Sequence, residues 1–274
     1  MLTMFVFGLF GLAIGSFLNV LILRWGKQAL TGRSACGACR KVISWYDLVP
    51  VFSWIFLHGR CRACGARISM QYVLVEVSTG VIFALIGGAP LLLVFRVLAL
   101  PIAALFIAIT VYDFRHTIIP DAWVYAAAGL SLMSSLAAIA YGSSTESAFV
   151  LLLAGPSVSF PLFAIWFASR GAWMGFGDVK LALAMGWLLG ITAGLQALLL
   201  AFIIGALASL PLLFFSTSLW KRIQERLTPT GTSSKLHWGF TMKSEIPFGP
   251  FLIAATFIIW ISNMYGIVLF TFGV

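Results

Sequence analysis

Charge is what this chain has least of. Only 9% of its 274 residues are charged, against roughly a quarter in an ordinary soluble domain. With 61% apolar residues and a mean hydropathy of +1.06, a soluble globular domain and a disordered chain are both excluded, and a polytopic membrane protein is what remains. Carboxylates are scarcer still. The eight Asp and Glu and three His leave few places for acid–base chemistry. All four cysteines lie between positions 36 and 64, which excludes a disulfide framework running through the whole chain. No Lys or Arg precedes Arg24, so the apolar run Met1 to Leu23 lacks the basic start of a cleaved signal peptide and is expected to be a retained first span.

The hydrophobic runs predict an all-α protein with about eight transmembrane helices, near 2–23, 73–88, 91–112, 121–141, 148–168, 178–190, 193–219 and 248–270. This divides the chain into three parts: a first helix over 1–23, a polar four-cysteine domain over 24–72, and a membrane domain over 73–274. The basic residues orient the chain. If Met1 lies outside, the inner segments 24–72, 113–120, 169–177 and 220–247 collect nearly every Lys and Arg, and only Arg96 falls towards the outer side. This loop asymmetry accounts for the net charge of +9 without nucleic acid, and the bilayer is the expected surrounding. Both termini are then expected outside the cytoplasm.

Cys36-Gly37-Ala38-Cys39 and Cys61-Arg62-Ala63-Cys64 form two C-x2-C knuckles with 21 residues between them. Such spacing suits a tetrahedral four-thiolate zinc site, in which the metal supplies folding energy to a module of under fifty residues. Two disulfides are the rival reading, and cytoplasmic placement argues against it. A catalytic thiol would need a histidine partner, and none is evident; His58 could serve as an alternative zinc ligand, but the four sulfurs already satisfy the ion. His58 reads as a surface residue.

A second feature is Gly175-Phe176-Gly177-Asp178, which sets a carboxylate at the mouth of an apolar helix. Taking an acid into a bilayer costs about 2.5–3.5 kcal/mol on insertion scales, so Asp178 is expected to serve chemistry, ion handling or an N-cap. Gly175 and Gly177 remove two β-carbons just before it. They are expected to give a substrate access.

Together with Gly15-Ser16-Phe17-Leu18-Asn19-Val20, Ile43 to Pro50 between the knuckles, Gly59-Arg60-Cys61, Ile118-Ile119-Pro120-Asp121 and Pro247-Phe248-Gly249-Pro250, these elements resemble the bacterial type IV prepilin peptidases in content and order. Trp25 after Arg24 departs from the proline expected there. The resemblance implies a Gly-x-Gly-Asp aspartic peptidase that removes the leader of prepilins and pseudopilins at the cytoplasmic face of the bacterial inner membrane. It also implies N-methylation of the new amino terminus from S-adenosylmethionine, although the sequence holds no glycine-rich nucleotide signature.

Aspartic chemistry needs a second carboxylate. Asp113 ends the third predicted helix at the same face where Asp178 begins the sixth, and it precedes Ile119-Pro120-Asp121 as the family's first catalytic aspartate does. Asp113 and Asp178 are therefore the expected catalytic pair, and Asp121 an expected N-cap. Glu76, the membrane-edge acid nearest the knuckles, is a candidate for the substrate amine or methyl transfer, with an ion pair as its structural alternative. A cation transporter using the same two aspartates and a non-enzymatic zinc-bearing assembly protein remain as readings from other classes.

Overall fold

The computed structural model describes residues 1–26, 29, 32–142, 147–216 and 247–267, with side chains to 209 in the segment that ends at 216. Among these residues it is almost entirely helical. Helix α1 spans Leu2–Arg24; a 3₁₀ turn over Trp45–Leu48 and the short α2, Phe52–Phe56, lie between it and α3, Gln71–Gly88. Beyond them come α4, Leu93–His116; α5, Asp121–Ala140; α6, Ala148–Ala168; α7, Phe176–Ser216; and α8, Gly249–Met264. Six of these, α1 and α3 to α7, are long and apolar enough to cross a bilayer, and α8 is a shorter apolar helix.

Within the described residues each of the eight predicted stretches is helical, two of them joined. The pair expected at 178–190 and 193–219 is one helix broken at Gly190, which takes φ 80° and ψ 179°. That combination is open essentially to glycine alone. The Ser, Thr and Gly loop at 228–234 with its flanking cations, and Glu146, Glu225, His237 and Glu245, lie outside the described residues.

Helix pairs are drawn together through missing side chains. A Cβ on Gly11 would stand 2.7 Å from Phe83 Cβ, and one on Gly15 would stand 2.7 Å from Glu76 Cα, so α1 and α3 approach backbone to backbone. Close approach through small residues is how membrane helices gain contact where lipid removes the hydrophobic drive. Asn19, on the same face, donates from Nδ2 to the carbonyls of Gly15 and Tyr72, tying the two helices at their polar ends. In the same way Gly155 of α6 accepts the Trp187 ring of α7, whose Nε1–H donates to the Leu152 carbonyl at 3.1 Å.

An aromatic chain closes the ends of α1, α4 and α5 that adjoin the four-cysteine region. Trp25 meets Trp123 at 4.8 Å between centroids, Trp123 meets Tyr112 at 5.3 Å, and Tyr112 lies on His116 at 4.2 Å. Trp25, the departure from the family pattern, thus packs in the layer that fixes the end of α4. His116 is engaged there too, through Nδ1 and the Tyr112 carbonyl.

Candidate active site and four-cysteine centre

The site begins where α4 ends. Thr117 turns into the left-handed region at φ 51°, and its N–H donates to the Asp113 carbonyl at 2.8 Å, capping the helix. The chain then runs through Ile118 and Ile119 to Pro120, from which α5 starts. Asp113 is thereby held in the last turn of α4 with its side chain turned inward, only 4% exposed. Asp178, 7% exposed, occupies the first turn of α7.

Ile119 is a shared neighbour of the starts of α7 and α8. A Cβ on Gly177 would meet Ile119 Cβ at 3.1 Å, and one on Gly249 would meet Ile119 Cδ1 at 3.3 Å and Asp113 Oδ2 at 2.5 Å. The end of α4, the start of α7 and the start of α8 therefore converge on one point. Asp113 is near enough for its charge to act directly on Asp178. The Gly249 N–H donates to the Asp113 carboxylate, so the amino end of α8, carrying about half a positive charge, faces this acid.

Gly175 and Gly177 differ. Gly175 opens on free space, with only the Gly177 amide within 4 Å, whereas Gly177 is packed against Ile119. Neither has a positive φ, so compactness and not an unusual backbone is what these glycines supply. Asp121 is not an N-cap: Pro120 holds that position, and Asp121 Oδ1 instead lies 2.6 Å from Lys180 Nζ, bridging the starts of α5 and α7. Lys180 also sits over the Tyr125 and Phe176 rings. In the sequence Gly249 is visible only as part of a motif, and nothing there gives Ile119 a role. A Gly-Pro pair opening an apolar helix is the available signal for Gly249.

Glu76, buried in α3, accepts a hydrogen bond from the Val51 N–H at 2.7 Å and is also bonded by Ser16. It therefore joins the four-cysteine region to the bundle.

The knuckles are built as a pair. Arg40 N–H donates to the Cys36 carbonyl and Gly65 N–H to that of Cys61; Ile43 bonds back to Ser34 and Ile68 back to Gly59. Isolated bridges Ala35↔Val42 and Arg60↔Arg67 close the two loops. Every partner in the second knuckle is 25 positions after its counterpart in the first, and Arg40 and Gly65 share a left-handed backbone at φ 58° and 71°.

All four sulfurs lie within 4.8 Å of one another, and Cys36 Sγ is 3.9 Å from Cys64 Sγ. A tetrahedral ion with bonds of about 2.3 Å would set its sulfurs about 3.8 Å apart, while a disulfide needs about 2.05 Å. The cysteines are free, and the cluster is one that could bind a metal. Their protons are unevenly held. The Cys39 and Ala38 N–H groups bring the Cys36 thiol down to about 6. At Cys64 the Ala66 N–H also lowers the thiol, but the neighbouring Cys39 and the other sulfurs prevail and push it up to about 11. The knuckles are further braced by Asp47, whose carboxylate takes both Nε and Nη2 of Arg62 at 2.7–3.1 Å and holds that guanidinium above its ordinary range.

Two known protein families match the chain. Residues 9–88 match the Bacterial Peptidase A24 N-terminal domain, and residues 100–210 match the Type IV leader peptidase family. A Prepilin leader peptidase/N-methyltransferase of Myxococcus xanthus (strain DK1622) is 31% identical over 242 residues, 84% of this chain and 70% of its own. Proteins with that same description from Klebsiella pneumoniae and Dichelobacter nodosus are 35% and 30% identical, covering 70% and 97% of this chain and 87% and 92% of theirs.

The chain belongs to the type IV leader peptidase family. The first family match takes in α1, both knuckles and α3, and the second takes in Asp113, Ile119 and Asp178, so most of the elements that resembled the prepilin peptidases in sequence fall within the matched regions. With its apolar helices, this leader peptidase is a multi-pass protein of the bacterial inner membrane. No solved structure matches it.

Proposed function

We propose that Asp113 and Asp178 are the catalytic dyad of a leader peptidase that cleaves prepilins and pseudopilins, its relatives being named for prepilin processing. The observation that carries this reading is the burial of two carboxylates from helix ends 65 positions apart, close enough for the charge of one to act on the other. Buried acids are expensive, and two together are sustained by sharing a proton. The ionised member draws a proton from water while the protonated one donates to the scissile carbonyl. Gly249 N–H fixes the Asp113 carboxylate, and Ile119 sets the spacing. Gly175 gives the open approach and Gly177 the tight wall of this site.

The reading includes orientation and parts. Met1 and the carboxyl terminus lie on the periplasmic side, and 24–72 forms a cytoplasmic module between the first helix, 1–23, and the peptidase domain, 73–274. Loop asymmetry of Lys and Arg supports it. A leader with basic residues followed by an apolar helix would then present its scissile bond at the depth of the dyad. Cys36, Cys39, Cys61 and Cys64 would hold zinc, whose chemistry there is structural, since the ion joins two knuckles and offers no open position. N-methylation of the new amino terminus with S-adenosylmethionine follows from the family, and no residue is assigned to the methyl donor.

The test is cleavage of a purified prepilin by the reconstituted protein. Asp113→Asn and Asp178→Asn should each lower turnover by about 10²–10⁴-fold, as loss of a positioned acid or base does. Cleavage persisting in either variant would remove it from the dyad.

A further inference from the structure

Between the knuckles the chain makes an unusual descent. Val51 adopts φ 63° and ψ −53°, a region that β-branched residues almost never occupy, and its N–H reaches the Glu76 carboxylate at 2.7 Å. Glu76 is the sixth residue of α3, which starts at Gln71. Five residues of helix rise about 7.5 Å, and the whole of α3 about 27 Å, slightly less than the hydrocarbon thickness of about 30 Å. The Val51 N–H is thus bonded to a side chain rooted more than one turn from the start of α3, a helix long and apolar enough to cross a bilayer. A backbone N–H within the membrane edge has no water to bond, and a buried carboxylate supplies the acceptor.

The residues after Val51 suit that depth. Phe52, Ile55 and Phe56 lie at i, i+3 and i+4 on one face of α2, and all three are exposed, Phe56 by 76%. In the preceding 3₁₀ turn Trp45 is exposed by 79%. On α3, Leu74, Val77 and Val81 are likewise exposed apolar residues of a helix long and apolar enough to cross a bilayer. Charge complements it. Among residues 32–70 the only acid is Asp47, bound to Arg62, while Arg33, Arg40, Lys41, Arg60 and Arg67 are cations of the same module.

We infer that α2 is an interfacial helix, inserted through Phe52, Ile55 and Phe56 into the acyl chains of the leaflet beside the four-cysteine module, with its depth set by the Val51–Glu76 bond and the module's cations on anionic headgroups. Aromatic residues and cations at a membrane boundary bind lipid by burying the ring and leaving the charge at the phosphates. The inference is independent of the dyad and of zinc. It makes Glu76 a positioning residue.

The test places p-benzoylphenylalanine at Phe56 or, separately, at the exposed knuckle residue Ala63 in the full-length protein, in nanodiscs of phosphatidylethanolamine and phosphatidylglycerol. After illumination, mass spectrometry should find phospholipid adducts at position 56 at least tenfold above those at position 63. In the position-56 protein, Glu76→Leu should lower the lipid adduct severalfold while Glu76→Gln, which keeps an acceptor oxygen, retains it. Equal labelling at the two positions, or adducts at position 56 dominated by added prepilin or by a second copy of the chain, would overturn the inference.

Discussion

Gly249 and Asp113 stand so close that a single methyl group would not fit between them: a Cβ on Gly249 would be 2.5 Å from Asp113 Oδ2. The contact joins the start of α8 to the end of α4. Helix α8 thereby completes the site, although it contributes no acid to it.

Gly249→Ala should therefore lower prepilin cleavage by about 10²-fold, because a displacement of about 1 Å in a catalytic group has that effect. Thermal unfolding in detergent should change much less, since α8 keeps its apolar packing on α7 and α4. Wild-type turnover by Gly249→Ala would show that the Asp113 carboxylate does not need this neighbour.

The two glycines before Asp178 make a paired prediction. Gly177→Leu should impair cleavage by at least about 10²-fold, because its side chain would drive Ile119 out of its place between the aspartates' helices. Gly175→Ala should be nearly silent, since nothing but the Gly177 amide lies within 4 Å of its added Cβ. Membrane insertion, read by fractionation, should be normal in both. Equal loss in the two variants would contradict the division between wall and approach.

Much of this was legible in the sequence because membrane solvation imposes strong rules. Apolar runs mark the helices, and the break between 178–190 and 193–219 is visible as Gly190 and Gly194, of which Gly190 bends the chain. That Asp113 and Asp178 come near each other is readable because few acids exist to choose from, their helix ends share a face, and the family resemblance points to the same residue. Gly249 is not, since a contact across 136 positions leaves no local periodicity. Asp121 misleads for a related reason: a helix-start acid resembles an N-cap until Lys180, on another helix, is seen beside it. The 25-residue repeat of the knuckles is present in the sequence, as Cys-x2-Cys followed by Ile-Ser in Cys36–Ser44 and Cys61–Ser69, and the structure gives it meaning.

For the metal, Cys61→Ser should reduce bound zinc from about one equivalent to a small fraction, measured by atomic emission on the purified protein. Structural zinc contributes apparent binding energies of about 10–16 kcal/mol in small modules, so the 24–72 region should become protease-sensitive. Cleavage of prepilin should fall less than zinc content, because the proposed dyad lies on α4 and α7, beside the start of α8. Full zinc occupancy in Cys61→Ser would exclude a four-thiolate site.

The last prediction uses the asymmetry of the two knuckles. Arg40 and Gly65 occupy equivalent left-handed positions, at φ 58° and 71°, but only Gly65 does so without a side chain to strain. For an L-residue this conformation costs roughly 1–2 kcal/mol, and the flexibility glycine adds to the unfolded chain returns about 0.5–1 kcal/mol of that. Arg40→Gly should therefore be neutral or stabilising by up to about 1 kcal/mol, whereas Gly65→Arg should destabilise the module by about 1 kcal/mol. Chelator competition reads the difference: zinc should leave Gly65→Arg at lower chelator concentration than wild type, and leave Arg40→Gly at the same concentration or higher. Because removing Arg40 also takes a cation from the exposed face, the measurement belongs in neutral detergent, where no anionic lipid contributes. Easier zinc loss from Arg40→Gly than from Gly65→Arg would show that the two knuckles are not the equivalent halves that their hydrogen bonds describe.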